Sequence, residues 1–265
     1  MIEETTIEPF VDADEAGLRP SPVMRTILET IGRIAISNLG ILIVGEVGTG
    51  KTWLARKIHA MSGRAQGPFT RVECRTVDGE REFLGSEEYV LSGRLITPGL
   101  IEHAAGGSIF LDDVSHLVSA LQWKLARSAE HRHFRRSGGS EEISFNVRLL
   151  ASLNTTLADN ENEGRRDVIR RLCPIIINVP PLRERREDIP FLIETFIREA
   201  ARESGRSPQR LSARALGACM RQQWPGNARE LKRAVEQALK SAQVITGRWS
   251  GGRARQRESM QGETV

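Results

Sequence analysis

The 265-residue sequence has few cysteines and no long apolar run, and both shortages exclude classes of protein. Its cysteines are Cys74, Cys173 and Cys219. Their number is odd and no two have the CxxC spacing, which argues against a disulfide framework and against a zinc site. No apolar run approaches the roughly 18–20 residues that a membrane span requires. We therefore expect neither an integral membrane protein nor a disulfide-rich one.

The two ends of the sequence differ in charge. Residues 1–20 are acidic and lack the basic-then-apolar order of a secretory signal, so with unpaired thiols we expect a cytoplasmic protein. Arginines concentrate among glycines at 248–257, within a net charge of +4. We predict a disordered acidic arm at 1–20 and a flexible basic tail at 244–265. Phosphate binding by that tail is an alternative.

Short apolar runs alternate with helical patterns over most of the chain. The runs predict buried parallel strands at Gly40–Gly45, Phe69–Cys74, Ser108–Leu111, Val147–Leu153 and Ile175–Val179. From about residue 187 the pattern is helical only. The sequence therefore predicts an α/β core with a mainly parallel sheet at 21–183, followed by a small α-helical lid domain at 184–243.

A glycine-rich stretch follows the first predicted strand and precedes a predicted helix. It reads GEVGTGKT and matches the phosphate-loop pattern GxxxxGKT at residues 45–52. Glycines allow backbone N–H groups to converge on phosphate oxygens, and the helix N-terminus adds a positive dipole. Lys51 supplies a cation to the outer phosphates, and the hydroxyl of Thr52 can bind Mg²⁺. The pattern predicts a nucleotide site.

A second piece of that site comes about 60 residues later. The apolar run from Ser108 ends in two carboxylates, Asp112 and Asp113. At the end of a strand beside a phosphate loop, the first acid is expected to hold Mg²⁺ and the second to orient the attacking water.

Taken together, several ordered motifs resemble the AAA+ ATPase module of bacterial enhancer-binding proteins, which activate the sigma-54 RNA polymerase. The resemblance runs from about Ser21 to Gln243. It rests on GEVGTGKT, LARKIHAMSGRAQGPF, GLIEHAAGGSIFLDDV, VPPLRERREDIPFL and WPGNARELKR. It implies a three-layer αβα core with a helical lid, ATP and Mg²⁺ as cofactors, and an oligomeric ring that is usually a hexamer.

The resemblance also assigns roles to individual positions. Asn154 matches sensor I, Arg229 matches sensor II, and Arg165 and Arg171 match the two arginine fingers that act on the neighbouring subunit's site. The expected catalytic residues are Lys51, Asp113, Arg165, Arg171, Asn154 and Glu73. The expected nucleotide contacts are Gly45, Glu46, Val47, Gly48, Thr49, Gly50, Lys51, Thr52, Trp53, Asp112 and Arg229. The expected metal ligands are Thr52 and Asp112.

The sequence departs from the family pattern at the loop that contacts sigma-54. The family motif GAFTGA aligns with YVLSGR at Tyr89–Arg94, where the first glycine and the aromatic residue are both replaced. These changes remove backbone freedom and a contact surface. Contact with sigma-54 RNA polymerase through this loop is therefore in question.

Two further departures concern catalysis. The second acid, normally glutamate, is Asp113, and a reach shorter by about 1 Å can slow a reaction by about 10²-fold. The position of the family's switch asparagine is Glu73, which either repels Asp113, orients the water in its place, or points to solvent. We expect a slow ATPase.

Two functions remain open from the sequence. One is an ATP-hydrolysing module of a sigma-54-type transcription regulator that acts as a ring. The alternative is a weakly or non-hydrolysing, ATP-binding regulatory subunit that assembles with an intact AAA+ paralogue or another partner and does not contact sigma-54. The residues after the lid are too few for the usual helix-turn-helix, so we expect no DNA-binding domain in this chain.

Overall fold

The structure is a computed structural model that describes residues 20–77, 79–91, 93–154, 163–205, 207–208 and 211–250. For residues 163–166 and 242–250 it describes the backbone alone. The predicted arm therefore lies outside the described residues except for Pro20. The predicted tail lies outside them beyond residue 250, and the side chain of Arg165 is not described.

Five parallel strands form the central sheet, in the order β2-β5-β8-β1-β9. In chain order these strands are β1 Ile41–Val44, β2 Phe69–Glu73, β5 Ser108–Asp112, β8 Arg148–Leu153 and β9 Ile175–Asn178. Each predicted strand is present, with ends that differ by at most one residue. The predicted α/β class is confirmed.

Helices cover both faces of the sheet. The core helices are α1 Pro22–Ile34, α2 Lys51–Ala60, α3 Glu80–Leu84, α4 Leu100–His103, α5 Ser119–His131 and α6 Glu163–Leu172. Helices α1 and α2 pack on the face that carries Ile41 and Ile43, whereas α4, α5 and α6 pack on the face that carries Leu42. Strands β1, β5 and β8 are buried on both faces and largely apolar, which is why short apolar runs predicted them, whereas β2 carries the exposed Arg71 and Glu73.

Two small antiparallel hairpins were not predicted. One joins β3 Ser86–Val90 to β4 Gly93–Thr97, and the other joins β6 His133–Phe134 to β7 Ile143–Ser144. Every described residue of β4 is exposed, so no alternation of apolar and polar residues marks it as a strand. Hydrogen bonds between the strands define this hairpin, and a sequence pattern does not display them.

A buried arginine fixes the end of the first helix against the sheet. Arg148, the first residue of β8, is 1% exposed and donates to the carbonyl oxygens of Ile34, Ala35 and Leu39. These carbonyls lie at and beyond the C-terminus of α1, where the helix has no partners of its own for them. Burial lowers the pKa of Arg148.

The C-terminal helices form a separate small core. They are α7 Asp188–Ser204, α8 Ala213–Arg221 and α9 Asn227–Ser250. Apolar side chains from all three pack with Trp224, whose indole nitrogen donates to the carbonyl oxygen of Cys219 over 2.8 Å. Helix α9 continues to Ser250 and so includes residues 244–250, which the sequence analysis assigned to the tail. Of the helices in the described ranges, none combines the length and the apolar character that a membrane crossing requires.

Candidate functional site

The glycine-rich loop connects the C-terminal end of β1 to the N-terminus of α2. Gly48 has φ +82°, and a Cβ placed there would lie 2.2 Å from the carbonyl oxygen of Gly226. Gly50 has φ +100° and precedes α2 without a side chain that caps the helix. Only glycine adopts these conformations readily, and the first amides of α2 are left without a capping side chain.

Lys51 lies over its own loop. Its Nζ donates to the carbonyl oxygens of Gly45 and Glu46 over 2.7 and 2.9 Å. Burial lowers the pKa of Lys51, while the carboxylates of Asp112 and Asp113 raise it. The ammonium of Lys51 therefore lies in the same cleft as the carboxylates of Asp112 and Asp113, and it can bind an anion there.

The first strand-end acid already carries partners. Asp112 Oδ1 accepts from the hydroxyl of Ser152 over 2.8 Å. Its Oδ2 accepts from Nε and Nη2 of Arg71 over 3.1 and 2.7 Å. The same Nη2 lies 3.1 Å from Oε1 of Glu73. Sequence reasoning missed Arg71, although the strand period of two puts residues 71 and 73 on one face of β2.

Glu73 has a side chain that is 58% exposed and that pairs with Arg71. Of the three alternatives left open by the sequence, this position is compatible with a side chain that points to solvent. In the sheet its register partner is Asp112, not Asp113. Glu73 is exposed to solvent and at the same time lines the cleft.

Asp113 has a left-handed backbone, with φ 61°. Its carboxylate accepts from the hydroxyl of Ser115 over 2.8 Å, and it lies 3.3 Å from Nδ1 of His116. A second arginine that sequence reasoning missed, Arg75, lies 3.6 Å from Oδ2. The carboxylate of Asp113 is thus held by Ser115 and His116, which follow it in the chain, and by the guanidinium of Arg75.

These groups line one cleft of about 730 Å³ between the sheet edge and the lid. The structure brings together most of the predicted residues there, together with Arg71, Arg75, Phe196, Ala228 and Lys232. The predicted residues that line it are Val47, Gly48, Gly50, Lys51, Thr52, Trp53, Glu73, Asp112, Asp113, Asn154 and Arg229. The arrangement of loop, helix N-terminus and cations can hold a chain of phosphates.

The predicted arginine fingers lie on α6. Arg171 is exposed, does not line the chain's own cleft, and has its guanidinium carbon 5.4 Å from the ring centroid of Trp123. Arg165 belongs to the same helix, and its side chain lies outside the described part of the structure. The position of Arg171 fits a role toward another molecule better than a role in its own site.

The side chain of Glu46 points to the lid. Its two oxygens accept from the guanidinium of Arg183 over 2.7 and 2.9 Å, and Oε2 also accepts from Nδ2 of Asn227 over 3.1 Å. The hydrogen bonds from Arg183 hold the pKa of Glu46 below its ordinary value. Arg185 adds a further link, since it donates to the carbonyl oxygen of Thr49 over 2.7 Å. Sequence reasoning identified neither Arg183 nor Asn227.

A smaller and largely apolar cavity of about 200 Å³ adjoins the loop. It lies among α1, α2 and α7, and Trp53 borders both this cavity and the cleft. Its apolar lining is provided by Met24, Leu28, Trp53, Leu54, Phe191, Leu192 and Phe196. No sequence pattern indicated that Met24 and Leu28 of α1 would border a cavity.

The described residues of the stretch at 89–94 form the end of the β3–β4 hairpin, with Tyr89, Val90 and Leu91 exposed. At the hairpin's base, the buried carboxylate of Glu87 accepts from Nε and Nη2 of Arg94 over 2.6 and 2.7 Å. Arg94 also donates to Glu141 over 2.7 Å. The N–H of Glu87 donates to the carbonyl oxygen of Ser137 over 2.9 Å, so the hairpin is fastened to the turn at 137–141.

Two protein families match consecutive parts of the chain. The sigma-54 interaction domain matches residues 18–178, and the AAA+ ATPase lid domain matches residues 183–247.

Relatives with known roles span the same region. The transcriptional regulatory protein XylR of Pseudomonas putida is 38% identical over 234 residues, covering 86% of this chain and 41% of that protein. The response regulator protein PilR of Pseudomonas aeruginosa is 38% identical over 231 residues, covering 85% of this chain and 52% of that protein. The chain thus spans about half the length of the curated relatives it matches.

Solved structures agree with the sequence matches. NtrX from Brucella abortus is 33% identical, with a TM-score of 0.74 over 88% of this chain and 54% of that one. The same protein in complex with ATP is 35% identical, with a TM-score of 0.73 over 84% of this chain and 51% of that one.

Proposed function

The chain belongs to the sigma-54 interaction domain family of AAA+ modules, and we propose that it binds ATP in the cleft between core and lid and hydrolyses it. We place the core at 21–183 and the lid at 184–243. The observation that carries the proposal is the convergence of Lys51, Asp112 and the uncapped N-terminus of α2 on one cleft of about 730 Å³. An NtrX structure with ATP bound, similar to this chain, supports the choice of nucleotide.

The phosphates of ATP would lie along the loop at 45–52. Lys51 would exchange its bonds to the carbonyl oxygens of Gly45 and Glu46 for phosphate oxygens, since a doubly or triply charged anion is the stronger acceptor. The amides at the start of α2 would donate to the same group. Arg229, on the lid side of the cleft, would approach the outer phosphates as the sensor II arginine.

The adenine base would lie in the apolar cavity of about 200 Å³ beside the loop. Ligand sites are mostly apolar with a few polar groups, and this cavity has that character. Trp53 borders both spaces, so a ligand that fills them would pass across its side chain.

Hydrolysis requires a residue that orients the attacking water, and Asp113 is the residue for that role. Its carboxylate is held by Ser115 and by Arg75, and it is shorter than the usual glutamate. We propose that turnover is slow for this reason. Asn154, at the end of β8, lies in the same cleft and would contact the outer phosphate.

Thr52 and Asp112 are the residues that would hold Mg²⁺, which neutralises phosphate charge when it is bound. Both line the cleft, and a hydroxyl with a carboxylate is a suitable ligand pair. However, the oxygens of Asp112 already accept bonds from Ser152 and Arg71. The pair fits a metal ion only after Arg71 has left the carboxylate.

The arginine fingers Arg165 and Arg171 would act on a neighbouring subunit. Arg171 is exposed and lies outside the chain's own cleft, as a residue acting in trans must. We propose a ring oligomer, with a hexamer as the expected form. An arginine supplied in trans is worth about 10³–10⁵ in rate for other phosphoryl-transfer proteins.

The partner of such a ring would be a transcription protein. The exposed end of the β3–β4 hairpin is the surface on which sigma-54 RNA polymerase would bind, although it lacks the first glycine and the aromatic residue of the family motif. The alternative of a subunit that binds ATP without hydrolysing it is not favoured by the family and the relatives.

The test is steady-state ATP hydrolysis at increasing protein concentration, with Lys51→Ala as the blank. We expect a rate per subunit that rises with concentration and disappears in the variant. A rate per subunit that stays constant in a strict monomer would contradict the ring. Binding without turnover would contradict the proposed hydrolysis.

A further inference from the structure

An arginine occupies the carboxylate on which a divalent cation is expected. Arg71 donates twice to Oδ2 of Asp112, and the nitrogen at 2.7 Å also lies 3.1 Å from Glu73. Building on the proposed ATP site, we propose that Arg71 is a nucleotide-binding residue that acts as a resident cation on Asp112. ATP then binds to this chain without a divalent metal ion.

The backbone fixes this arrangement. Strands β2 and β5 are parallel neighbours, and their register pairs Glu73 with Asp112 at the end where the cleft lies. Arg71 precedes Glu73 by two positions on the same strand face, so its long side chain reaches forward between the two carboxylates. Its side chain is 34% exposed, which leaves the guanidinium accessible from the cleft.

The charges around the cleft support the same conclusion. Among the described residues, the cations that line it are Lys51, Arg71, Arg75, Arg229 and Lys232, and the carboxylates are Glu73, Asp112 and Asp113. Arg75 lies 3.6 Å from Asp113, so each strand-end acid has an arginine beside it. The lining is cationic on balance before any metal ion binds.

A metal ion at such a site normally separates phosphate charge from the carboxylate that holds it. Here the charge of Asp112 is already compensated by a guanidinium, which can turn its remaining N–H groups to a phosphate oxygen. A magnesium ion that binds Asp112 must displace two charge-assisted hydrogen bonds. Binding of a metal ion to this carboxylate is therefore less favourable than binding to a carboxylate without such hydrogen bonds.

The test is ATP affinity measured by isothermal titration calorimetry, once with excess Mg²⁺ and once with EDTA. For the unmodified chain we expect the two dissociation constants to agree within about threefold. Arg71→Gln keeps a polar side chain but shortens it and removes the charge, and in EDTA we expect it to lose about tenfold in affinity. In Mg²⁺ that loss should largely disappear, because the metal ion then compensates Asp112.

Two further variants keep the test decisive. Arg71→Lys retains a cation and should retain binding in EDTA. Arg135→Gln removes an exposed arginine that pairs with Glu142 outside the cleft, and should change nothing. Thermal melting without ligand establishes that each variant is folded.

The proposal is overturned if the unmodified chain loses about tenfold or more in EDTA, or if Arg71→Gln binds as tightly there as the unmodified chain. In both cases the ATP site itself stands. If the unmodified chain binds no ATP in either buffer, the proposed function fails, and this inference fails with it.

Discussion

The side-chain amide of Asn227 donates to Oε2 of Glu46 over 3.1 Å, so the first residue of α9 holds an acid of the glycine-rich loop. The same nitrogen lies 3.0 Å from the carbonyl oxygen of Val47, and Oδ1 of Asn227 accepts from the N–H of Leu182 over 2.7 Å. One buried side chain therefore joins the loop, the lid and the segment between them. A displacement of the loop on ligand binding would therefore alter hydrogen bonds that the lid makes through Asn227.

Replacing Asn227 should weaken this junction in a way that two variants can separate. Asn227→Ala removes the hydrogen bonds and leaves a Cβ at φ 55°, so we expect it to lose about 2–4 kcal/mol of unfolding free energy. Asn227→Gly removes the same bonds without the backbone strain and should lose about 1 kcal/mol less. Urea unfolding measures both, and equal values would show that strain plays no part.

Gly48 should be the least replaceable glycine of the loop. In Gly48→Ala the new Cβ meets the carbonyl oxygen of Gly226, and the backbone is held at φ +82°. We expect ATP affinity to fall by at least about tenfold, because the loop or the lid must move. Gly63→Ala is the control, since a Cβ there meets nothing within 4 Å. Calorimetric titration with ATP measures both, and an unaffected Gly48→Ala would contradict the close approach of loop and lid.

Acid should loosen the lid through Glu46. Its pKa is lower in the folded chain than the ordinary 4.5, so the contact with Arg183 contributes fully above that ordinary value. The contribution is lost as the pH falls through the lowered pKa of the folded state. Melting temperatures of the unmodified chain and of Glu46→Gln, compared from about pH 7 to about pH 3, should converge toward acid. A constant difference between the two would exclude the ionised carboxylate as the cause.

Trp123 should position Arg171 for its role in trans. The ring is 47% exposed and lies under a guanidinium at 5.4 Å, an arrangement worth about 0.5–1 kcal/mol at exposed sites. We expect Trp123→Leu to lower the turnover number about three- to fivefold without a change in ATP affinity. Trp123→Phe should recover part of that loss.

The control for this effect is the double variant. If Trp123 acts through Arg171, then Trp123→Leu in an Arg171→Ala background should cause no further loss of turnover. Additive losses would mean that the indole of Trp123 affects turnover independently of Arg171. A loss of ATP affinity in Trp123→Leu alone would also speak against a positioning role.

How far the sequence predicts this molecule depends on the range of the interaction. Buried strands are apolar on both faces, so short runs such as Ile41–Val44 could be recognised locally. Glycines and Lys51 follow a spacing that the chemistry itself requires, and the structure brings them to the cleft with Asp112. The contacts of Arg183 and Asn227 with Glu46 join residues far apart in the chain, and no local pattern reveals them.

Glu73 and Arg71 show a second limit. The strand period places both on one face of β2, but it does not say which of two acids a long side chain will contact. The sequence left three positions of Glu73 relative to Asp113 open, and strand periodicity alone does not choose among them. The register of β2 with β5 places Glu73 beside Asp112, and that register is fixed by packing over the whole sheet.

The attachment of the β3–β4 hairpin has a mechanical consequence. A hairpin attached only through its two strand ends can bend when force is applied to its tip, and it then transmits little of that force to the rest of the protein. Here Arg94 bridges Glu87 and Glu141, and the backbone of Glu87 is bonded to Ser137, so the base is held at several points. A force applied at the exposed end would therefore pass through the turn at 137–141 to the hairpin of β6 and β7.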